Sequence, residues 1–176
     1  IGTRAAGGAR PWEEGHARAR QLRDVLHLNG APLPTIAHLS KALGLAEGEL
    51  EQAIIPTPSI ALLDGTVGMN ERKSPGFALI QRSEPAVRFA LARALHDYLL
   101  APGSGETVLT GSQSDRQMLN RAFAAEFLAP ASGIRSALPG PIVGQDEIDT
   151  IAERFGVSNT VIEHQIQNQG LAVISP

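Results

Sequence analysis

The stretch "RFALARALHDYLL", which runs from Arg88 to Leu100, decides the fold predicted for this chain. Apolar side chains recur in it at helical spacing, so the stretch predicts one amphipathic helix. The centre of the helix, "RALHD", places Arg93, Ala94 and Asp97 at relative positions 1, 2 and 5. Residues four apart lie on one face of a helix, so Arg93 and Asp97 are expected to face the same neighbours.

This spacing is that of a zinc-binding helix whose chemistry has been replaced. In such a helix, two histidines at i and i+4 hold zinc, and a glutamate beside the first polarises the bound water. Arginine stays protonated and repels a cation, and alanine neither takes nor gives a proton. Asp97 is the one possible ligand that remains, and His96 points about 100° around the helix from it. The stretch therefore predicts a helix with the spacing of a zinc-binding motif but without the side chains that would bind zinc.

Composition predicts one medium-sized globular domain. The chain has 176 residues, of which 43% are hydrophobic and 19% charged, enough to bury a core. Its net charge of -3 gives no electrostatic reason to expect nucleic acid, and the absence of cysteine excludes disulfides and thiolate metal sites. Without a signal peptide or a membrane-length apolar run, we expect a cytoplasmic protein. Its start at Ile1 indicates a processed product or a fragment.

Local patterns predict an α+β, mainly helical domain over residues 11–140, after a flexible segment over 1–10. Besides 84–100, helices are predicted over 11–29, 35–43, 47–54 and 115–129, the last behind a capping box of Ser114 and Gln117. Strands at 59–64, 66–69 and 77–82 predict a three-stranded, mostly antiparallel sheet with a hairpin turn at Asp64–Gly65. Residues 101–114 and 131–145 are predicted as loops. A C-terminal helical pair, capped in its second helix by Ser158, is expected to pack on this domain from 141–176.

Four segments resemble the ImmA/IrrE family of metallopeptidase-like domains. "RFALARALHDYLL" is similar to the family's core helix "RFTLAHELGHYLL", and "NRAFAAEFLAP" is similar to its "ANRFAAELLMP" segment. "FALIQRSEPAV" resembles the strand that leads into that helix, and "IAERFGVSNTVIEHQIQNQG" resembles the terminal "LAxxFxVS" helical pair. The resemblance covers roughly residues 11 to 170, and the joint spacing is more specific than any one motif.

The resemblance implies a zincin-like fold and, in active members, zinc-dependent cleavage of a partner protein, often a repressor of stress or mobile-element genes. Many members carry an upstream helix-turn-helix domain. This chain departs from that chemistry, because the two histidine positions hold Arg93 and Asp97 and the general-base position holds Ala94. Glu126, within the "FAAE" segment, is expected to anchor structure rather than to act as a catalytic acid. We therefore expect the family's zinc to have been lost.

The family's third ligand is an acidic residue, and the resemblance puts it here among Gln117, Met118 and Leu119. None of these is acidic, and Asp115 is the one carboxylate in that first helical turn, where it also suits the helix dipole. The remaining histidines show no metal-binding spacing: His16, His27, His38 and His164.

Arg93 and Asp97 allow two interpretations. As a cation and an anion four residues apart, they can form an ion pair across one helical turn, in the space that the metal and its ligands would fill. Such a pair stabilises a helix by a few tenths of a kcal/mol if it is exposed. Alternatively, Arg93 faces the former cleft and binds a carboxylate or phosphate, with further contacts from His96, Asp97, Asp115 and Leu119.

The C-terminal helical pair raises DNA binding as a competing function. Ala152, Gly156 and Ile162 stand at helix-turn-helix spacing. The second helix, however, has no Lys or Arg and carries Glu163, so phosphate contacts would be poor and helix packing is the simpler explanation. Its polar residues suit base edges or a protein surface: Asn159, Gln165, Gln167 and Asn168.

Taken together, these patterns favour a catalytically inactive domain that recognises a regulatory protein or a ligand through the former active-site cleft, in transcriptional or stress regulation. Three alternatives stay open. They are a sensor of an anionic metabolite bound by Arg93, a zinc peptidase with a metal site rebuilt from Asp97, His96 and Asp115, and DNA binding by the C-terminal pair.

Overall fold

The structure is a computed structural model that describes residues 10–46, 48–57, 63–69, 75–80, 82–100 and 106–175. Residues 1–9 of the predicted N-terminal segment and residues 59–62 of the first predicted strand lie outside these ranges. The helices within them are α1 (Pro11–Val25), α2 (Ile36–Ala42), α3 (Glu49–Ala53), α4 (Glu84–Leu100), α5 (Asp115–Leu128), α6 (Ala131–Ala137), α7 (Gln145–Phe155) and α8 (Asn159–Gln169). The strands are β1 (Ile54–Thr57), β2 (Leu63–Met69), β3 (Pro75–Ile80), β4 (Thr107–Thr110), β5 (Ile142–Val143) and β6 (Val173–Ile174). The fold is α+β, as predicted, and no helix in the described part of the chain is long and apolar enough to cross a membrane.

Helix α4 has the predicted bounds and is the central helix of the molecule. It contacts the sheet and α5, and its small side chains Ala90, Ala92 and Ala94 are buried and allow these neighbours a close approach. Most residues between 88 and 97 are buried. The polar side chains of this stretch must therefore find their partners inside the protein.

Among the residues that the structure describes, the main sheet has four strands in the order β1-β3-β2-β4, so the three-stranded prediction is wrong. Strand β1 runs parallel to β3, whereas β2 is antiparallel to both β3 and β4. The two strands that were not predicted, β1 and β4, have local compositions that are unusual for strands. β1 contains Pro56, which a strand tolerates at the edge of a sheet, and β4 follows a Gly/Ser-rich stretch that predicts a loop.

The predicted hairpin turn at Asp64–Gly65 is also wrong, because both residues lie inside β2. The pairing of β2 with β4 shifts between Leu63 and Gly65, which leaves Asp64 as the extra residue of a β-bulge. Gly65 is needed for close packing rather than for a turn, since a Cβ there would lie 2.7 Å from the Ala78 carbonyl oxygen. A bulge re-aims side chains, and this one accompanies an Asp64 side chain that reaches α4.

The C-terminal helices α7 and α8 are joined through Gly156, whose φ of 61° suits glycine at a helix end. Ala152 and Ile162 are buried, as their helix-turn-helix spacing requires. The connector predicted over 131–145 is more ordered than expected, because it contains α6 and β5. Strand β5 pairs in parallel with β6 near the end of the chain.

Two predicted helix caps are incomplete. Ser114 accepts a hydrogen bond from the Gln117 backbone N–H, but the Gln117 side chain bonds elsewhere and does not close the capping box. Ser158 occupies the N-cap position of α8 without a side-chain hydrogen bond. Its hydroxyl is therefore not tied to the helix that it precedes.

Two buried arginines fix the helices around the core. Arg23 of α1 donates to three carbonyl oxygens, those of Asn29, Ala31 and Phe127. Burial lowers the pKa of Arg23 to about 10. Arg88 of α4 donates to the carbonyl oxygens of Pro34, Phe155 and Gly156, which ties α4 to the turn between α7 and α8. Burial likewise lowers the pKa of Arg88.

Candidate functional site

Arg93, at the centre of α4, is almost completely buried, with 4% of its surface exposed. Its guanidinium donates to the Asp64 carboxylate at 2.7 Å, the Gln117 side-chain oxygen at 2.7 Å and the Thr110 carbonyl oxygen at 2.6 Å. We call these four residues the Arg93 network. It joins α4 to β2, β4 and α5, and its hydrogen bonds offset the cost of burying the charge.

Gln117 binds at both ends of its amide. The side-chain oxygen also accepts from the Thr110 backbone N–H at 3.4 Å, and the side-chain nitrogen donates to the Val108 carbonyl oxygen at 2.9 Å. These contacts with β4 and Arg93 explain why the amide does not return to Ser114 as a capping box would require.

The predicted pairing of Arg93 with Asp97 is wrong. Asp97 instead accepts from Arg116, whose Nε and Nη2 lie 3.1 and 2.6 Å from its two oxygens. The Asn120 side-chain nitrogen at 2.7 Å and the Thr107 hydroxyl at 3.5 Å complete what we call the Asp97 network. A bidentate arginine from a neighbouring helix competes well here, because the positive-before-negative order along α4 is the weaker one.

His96 is buried and shares Asn120 with Asp97. The Asn120 nitrogen donates to Asp97, so its oxygen faces His96 Nδ1 at 2.7 Å and that nitrogen carries the proton. The ring stacks on Phe123 with centroids 4.3 Å apart, and Nε2 is buried without a hydrogen-bond partner. Burial lowers the pKa of His96, while the Asn120 hydrogen bond acts in the opposite direction. His96 is therefore a neutral core histidine.

A cleft with a volume of about 710 Å³ lies beside the Arg93 network. This size falls in the range of small-molecule sites. Helices α1, α4, α5 and α8 supply its apolar walls, which include Trp12, Phe89, Met118, Ala122, Ala125 and Val161. Trp12 is the one tryptophan of the sequence.

One part of the cleft lining is positively charged. Arg82, Arg93 and Arg121 line the cleft with one carboxylate, Asp64, which leaves a net charge of +2. Asp64 pairs with Arg93 at 2.7 Å and with Arg82 at 3.4 Å. Arg121 donates to two neutral oxygens just before α5, at 2.9 and 3.3 Å. The cleft lining is thus cationic although the chain as a whole carries -3.

Helices α1 and α8 contribute imidazole and amide groups to the same lining, namely His16, His164, Gln165 and Asn168. Burial lowers the pKa of His16, and the nearby Glu126 carboxylate opposes this effect. Sequence spacing gave no sign that His16 and His164 would line one cleft, because they are 148 positions apart on helices at opposite ends of the chain.

Glu126 joins α5 to α8 behind the cleft. Its side chain is 1% exposed and accepts hydrogen bonds from the side-chain nitrogens of Gln165 at 2.8 Å and Gln169 at 2.6 Å. The Ala131 N–H donates at 3.3 Å, and Arg20 lies 3.6 Å away. Through these contacts Glu126 holds α5 and α8 together.

Of the cleft contacts predicted from sequence, Arg93 lines the cleft formed by the described residues, and the others do not. Asp115 is exposed at the start of α5. The backbone of Leu119 lies close to α1, where its carbonyl oxygen approaches Gly15. His96 and Asp97 are both buried, Asp97 in its own network and His96 against Asn120 and Phe123. Asp64, Arg82 and Arg121 were not predicted as cleft residues, because they lie in three separate segments and no spacing along the chain indicates that the fold brings them together.

The side chains at the expected metal positions do not fit zinc. Arg93 is a cation, Ala94 is fully buried in the core, and both oxygens of Asp97 already accept hydrogen bonds. The described residues contain no group of three or more His, Asp or Glu side chains placed to hold a metal ion. Neither protein-family models nor curated proteins match this sequence.

Proposed function

We propose that this chain is a catalytically inactive, ImmA/IrrE-like domain that recognises a regulatory protein or a ligand through the cleft beside the Arg93 network. One observation carries the proposal. Arg93 and Asp97 at the two histidine positions, and Gln117 as one candidate for the third ligand position, are each hydrogen-bonded to other protein groups, yet a cleft of ligand size remains beside Arg93. This combination supports binding rather than metal-dependent hydrolysis.

The contacts also support the resemblance to the family. Arg93 stands at the first ligand position, and the resemblance puts the third ligand position among Gln117, Met118 and Leu119. The side chains of Arg93 and Gln117 are 24 residues apart in sequence and 2.7 Å apart in space. Asp97 lies one turn further along α4. A role in transcriptional or stress regulation, in the cytoplasm, is the setting that the resemblance and the composition suggest.

A rebuilt zinc site has weaker support. The two oxygens of Asp97 are held by Arg116 and Asn120, and zinc would have to displace these donors. His96 offers a free Nε2 lone pair, but Asp115 is exposed at the start of α5. In the described residues these three side chains do not form a group that could hold a metal ion.

DNA binding through α8 has weaker support as well. The residues of α8 that line the cleft form one face of the helix: Thr160, Val161, His164, Gln165 and Asn168. That face is partly exposed, but it carries no Lys or Arg for phosphate contacts.

The first test is the metal content of untagged protein purified without chelator, followed by calorimetric titration with zinc. We expect far less than one metal ion per chain and no tight zinc binding. One tight equivalent that is lost in Asp97→Asn or His96→Gln would contradict the proposal and favour an enzyme.

A second test rebuilds the family's ligands at their expected positions with Arg93→His, Asp97→His and Gln117→Glu together. If these positions have zincin geometry, the triple variant should bind one zinc ion, and the double variant that keeps Gln117 should bind it far more weakly. Circular dichroism establishes that both variants are folded. A folded triple variant without zinc affinity would argue against the family geometry.

A further inference from the structure

We infer that the cleft takes an organic anion, a carboxylate carried on an apolar body. This inference rests on the proposed function, because it assigns a ligand class to the same cleft. It starts from the three arginines and the single carboxylate in the lining, and from the apolar walls that accompany them.

Arg121 is the cleft cation that makes no ion pair in the described part of the chain, whereas Arg82 and Arg93 both pair with Asp64. It is partly buried and donates to two neutral oxygens, and none of its hydrogen bonds goes to a carboxylate in the described part of the chain. Burial lowers the pKa of Arg121, and the positive charge of Arg93 acts in the same direction. Two cations that repel each other beside a partly desolvated cleft both gain from a bound anion.

Asp64 shows that the cleft arginines bind a carboxylate. Its carboxylate is 20% exposed and bridges Arg93 and Arg82. It can neutralise only one of the three positive charges. A second carboxylate, supplied by the ligand, would lower the net charge of the lining from +2 to +1 and meet the planar donors of Arg82 and Arg121.

The apolar walls require more than a small inorganic anion. Trp12, Phe89 and Val161 come from three different helices and face one cleft, so a bare anion would leave these surfaces in water. A cationic ligand would face Arg82, Arg93 and Arg121 directly. The amides and imidazoles contributed by α8 and α1 can accommodate uncharged polar groups on the ligand.

Two sources can supply this chemistry, a free organic acid or the terminal carboxylate of a partner protein that ends in apolar residues. Both place a carboxylate on an apolar body. Decanoate represents the first source, and a hexapeptide ending in two leucines with a free carboxylate represents the second. The same peptide with an amidated end lacks the charge.

The test is titration of the full chain with decanoate, decanol or decylamine below micelle formation. The emission of Trp12 reports binding, because this residue is the one tryptophan and lines the cleft. We expect saturable binding of decanoate, confirmed by calorimetry, about tenfold weaker binding of decanol, and no binding of decylamine. Equal affinity for decanoate and decanol would overturn the inference.

Variants assign the binding to this cleft. Arg121→Gln should weaken decanoate binding about tenfold, and Asp64→Asn should strengthen it several-fold because a competing carboxylate is removed. Arg135→Gln is the matched control, since Arg135 is exposed on α6 and does not line the cleft. The inference is wrong if Arg121→Gln and Arg135→Gln have the same effect.

The peptide arms distinguish the two sources. Tighter binding of the free-carboxylate peptide than of decanoate, lost on amidation, would identify a protein terminus, and the reverse order would identify a small molecule. Either result supports the inference. Failure of decanoate and of both peptides in metal-free protein would overturn this inference alone, whereas a tight zinc equivalent would overturn the proposed function.

Discussion

Removal of the Arg93 guanidinium is the perturbation that tests the buried network most directly. Arg93→Met keeps an unbranched apolar stem of similar length and removes every donor. It leaves Asp64, the Gln117 side-chain oxygen and the Thr110 carbonyl oxygen without their closest partner. The variant should therefore unfold more easily, by an amount that the remaining contacts determine.

Removing one partner of a buried ion pair costs about 3–5 kcal/mol, because a buried charge is left without compensation. Here Asp64 is 20% exposed and keeps Arg82 at 3.4 Å. The Gln117 oxygen likewise keeps the Thr110 N–H at 3.4 Å. These remaining contacts and the access of water to Asp64 put the expected loss at the low end, about 3 kcal/mol.

Urea unfolding followed by circular dichroism measures this loss, provided that the m value is unchanged. A double-mutant cycle then isolates the pair. We expect Arg93→Met and Asp64→Asn to couple by about 1 kcal/mol or more, and Arg93→Met and Asp97→Asn to couple clearly less. A loss below about 0.5 kcal/mol, or the larger coupling with Asp97, would refute the assignment of Asp64 as the partner of Arg93.

Three further predictions follow from individual contacts. Burial lowers the pKa of His96, so below about pH 6.5 the unfolded state binds more protons and the free energy of unfolding decreases as the pH falls. His96→Gln should therefore reduce the difference between the urea midpoints at pH 7.5 and 5.5. An unchanged difference would count against a buried neutral ring. Burial also lowers the pKa of His16 while Glu126 opposes this effect, so Glu126→Gln should lower it further in an NMR titration; a rise would contradict the geometry. Gly65→Ala should lower the free energy of unfolding by about 1–3 kcal/mol, because the added Cβ would lie 2.7 Å from the Ala78 carbonyl oxygen. A Cβ at Gly140 meets nothing within 4 Å, so Gly140→Ala should be nearly neutral. Equal unfolding free energies for the two variants would exclude close packing at Gly65.

Helices were predictable from the sequence where local signals are strong. The periodic stretch from Glu84 to Leu100 and the Ser114 cap of α5 fix those elements within a few residues. The strands were not, because their stability comes from pairing partners. β4 has four residues beside a Gly/Ser-rich segment, and its place depends on β2. The Asp64–Gly65 dipeptide has the composition of a turn, yet the bulge and the close approach of β3 keep both residues in a strand.

The candidate site was predictable in outline only. Sequence identifies Arg93 and Asp97 as charges on one helical face, and both are buried as charges that need partners. Spacing within α4 can propose only partners on α4, whereas Asp64 is 29 residues away and Arg116 is 19 residues away. Tertiary packing supplied donors and acceptors with better geometry than the helical turn. The same limit hid Arg82 and Arg121, which reach the cleft from separate parts of the chain.

Residue 117 affects the electrostatics of the cleft through Arg93, which lines the cleft and donates to its side chain. Gln117 accepts from Arg93 at 2.7 Å as a neutral amide, so Asp64, which Arg82 shares, is the one carboxylate paired with Arg93 in the described part of the chain. A glutamate there would give Arg93 a second carboxylate and cancel one positive charge of the lining. Gln117→Glu should therefore weaken decanoate binding, the opposite of Asp64→Asn, although neither substitution removes an arginine. Titration of the two variants under one set of salt conditions compares them, and effects of the same sign would show that binding does not depend on the charge of the lining.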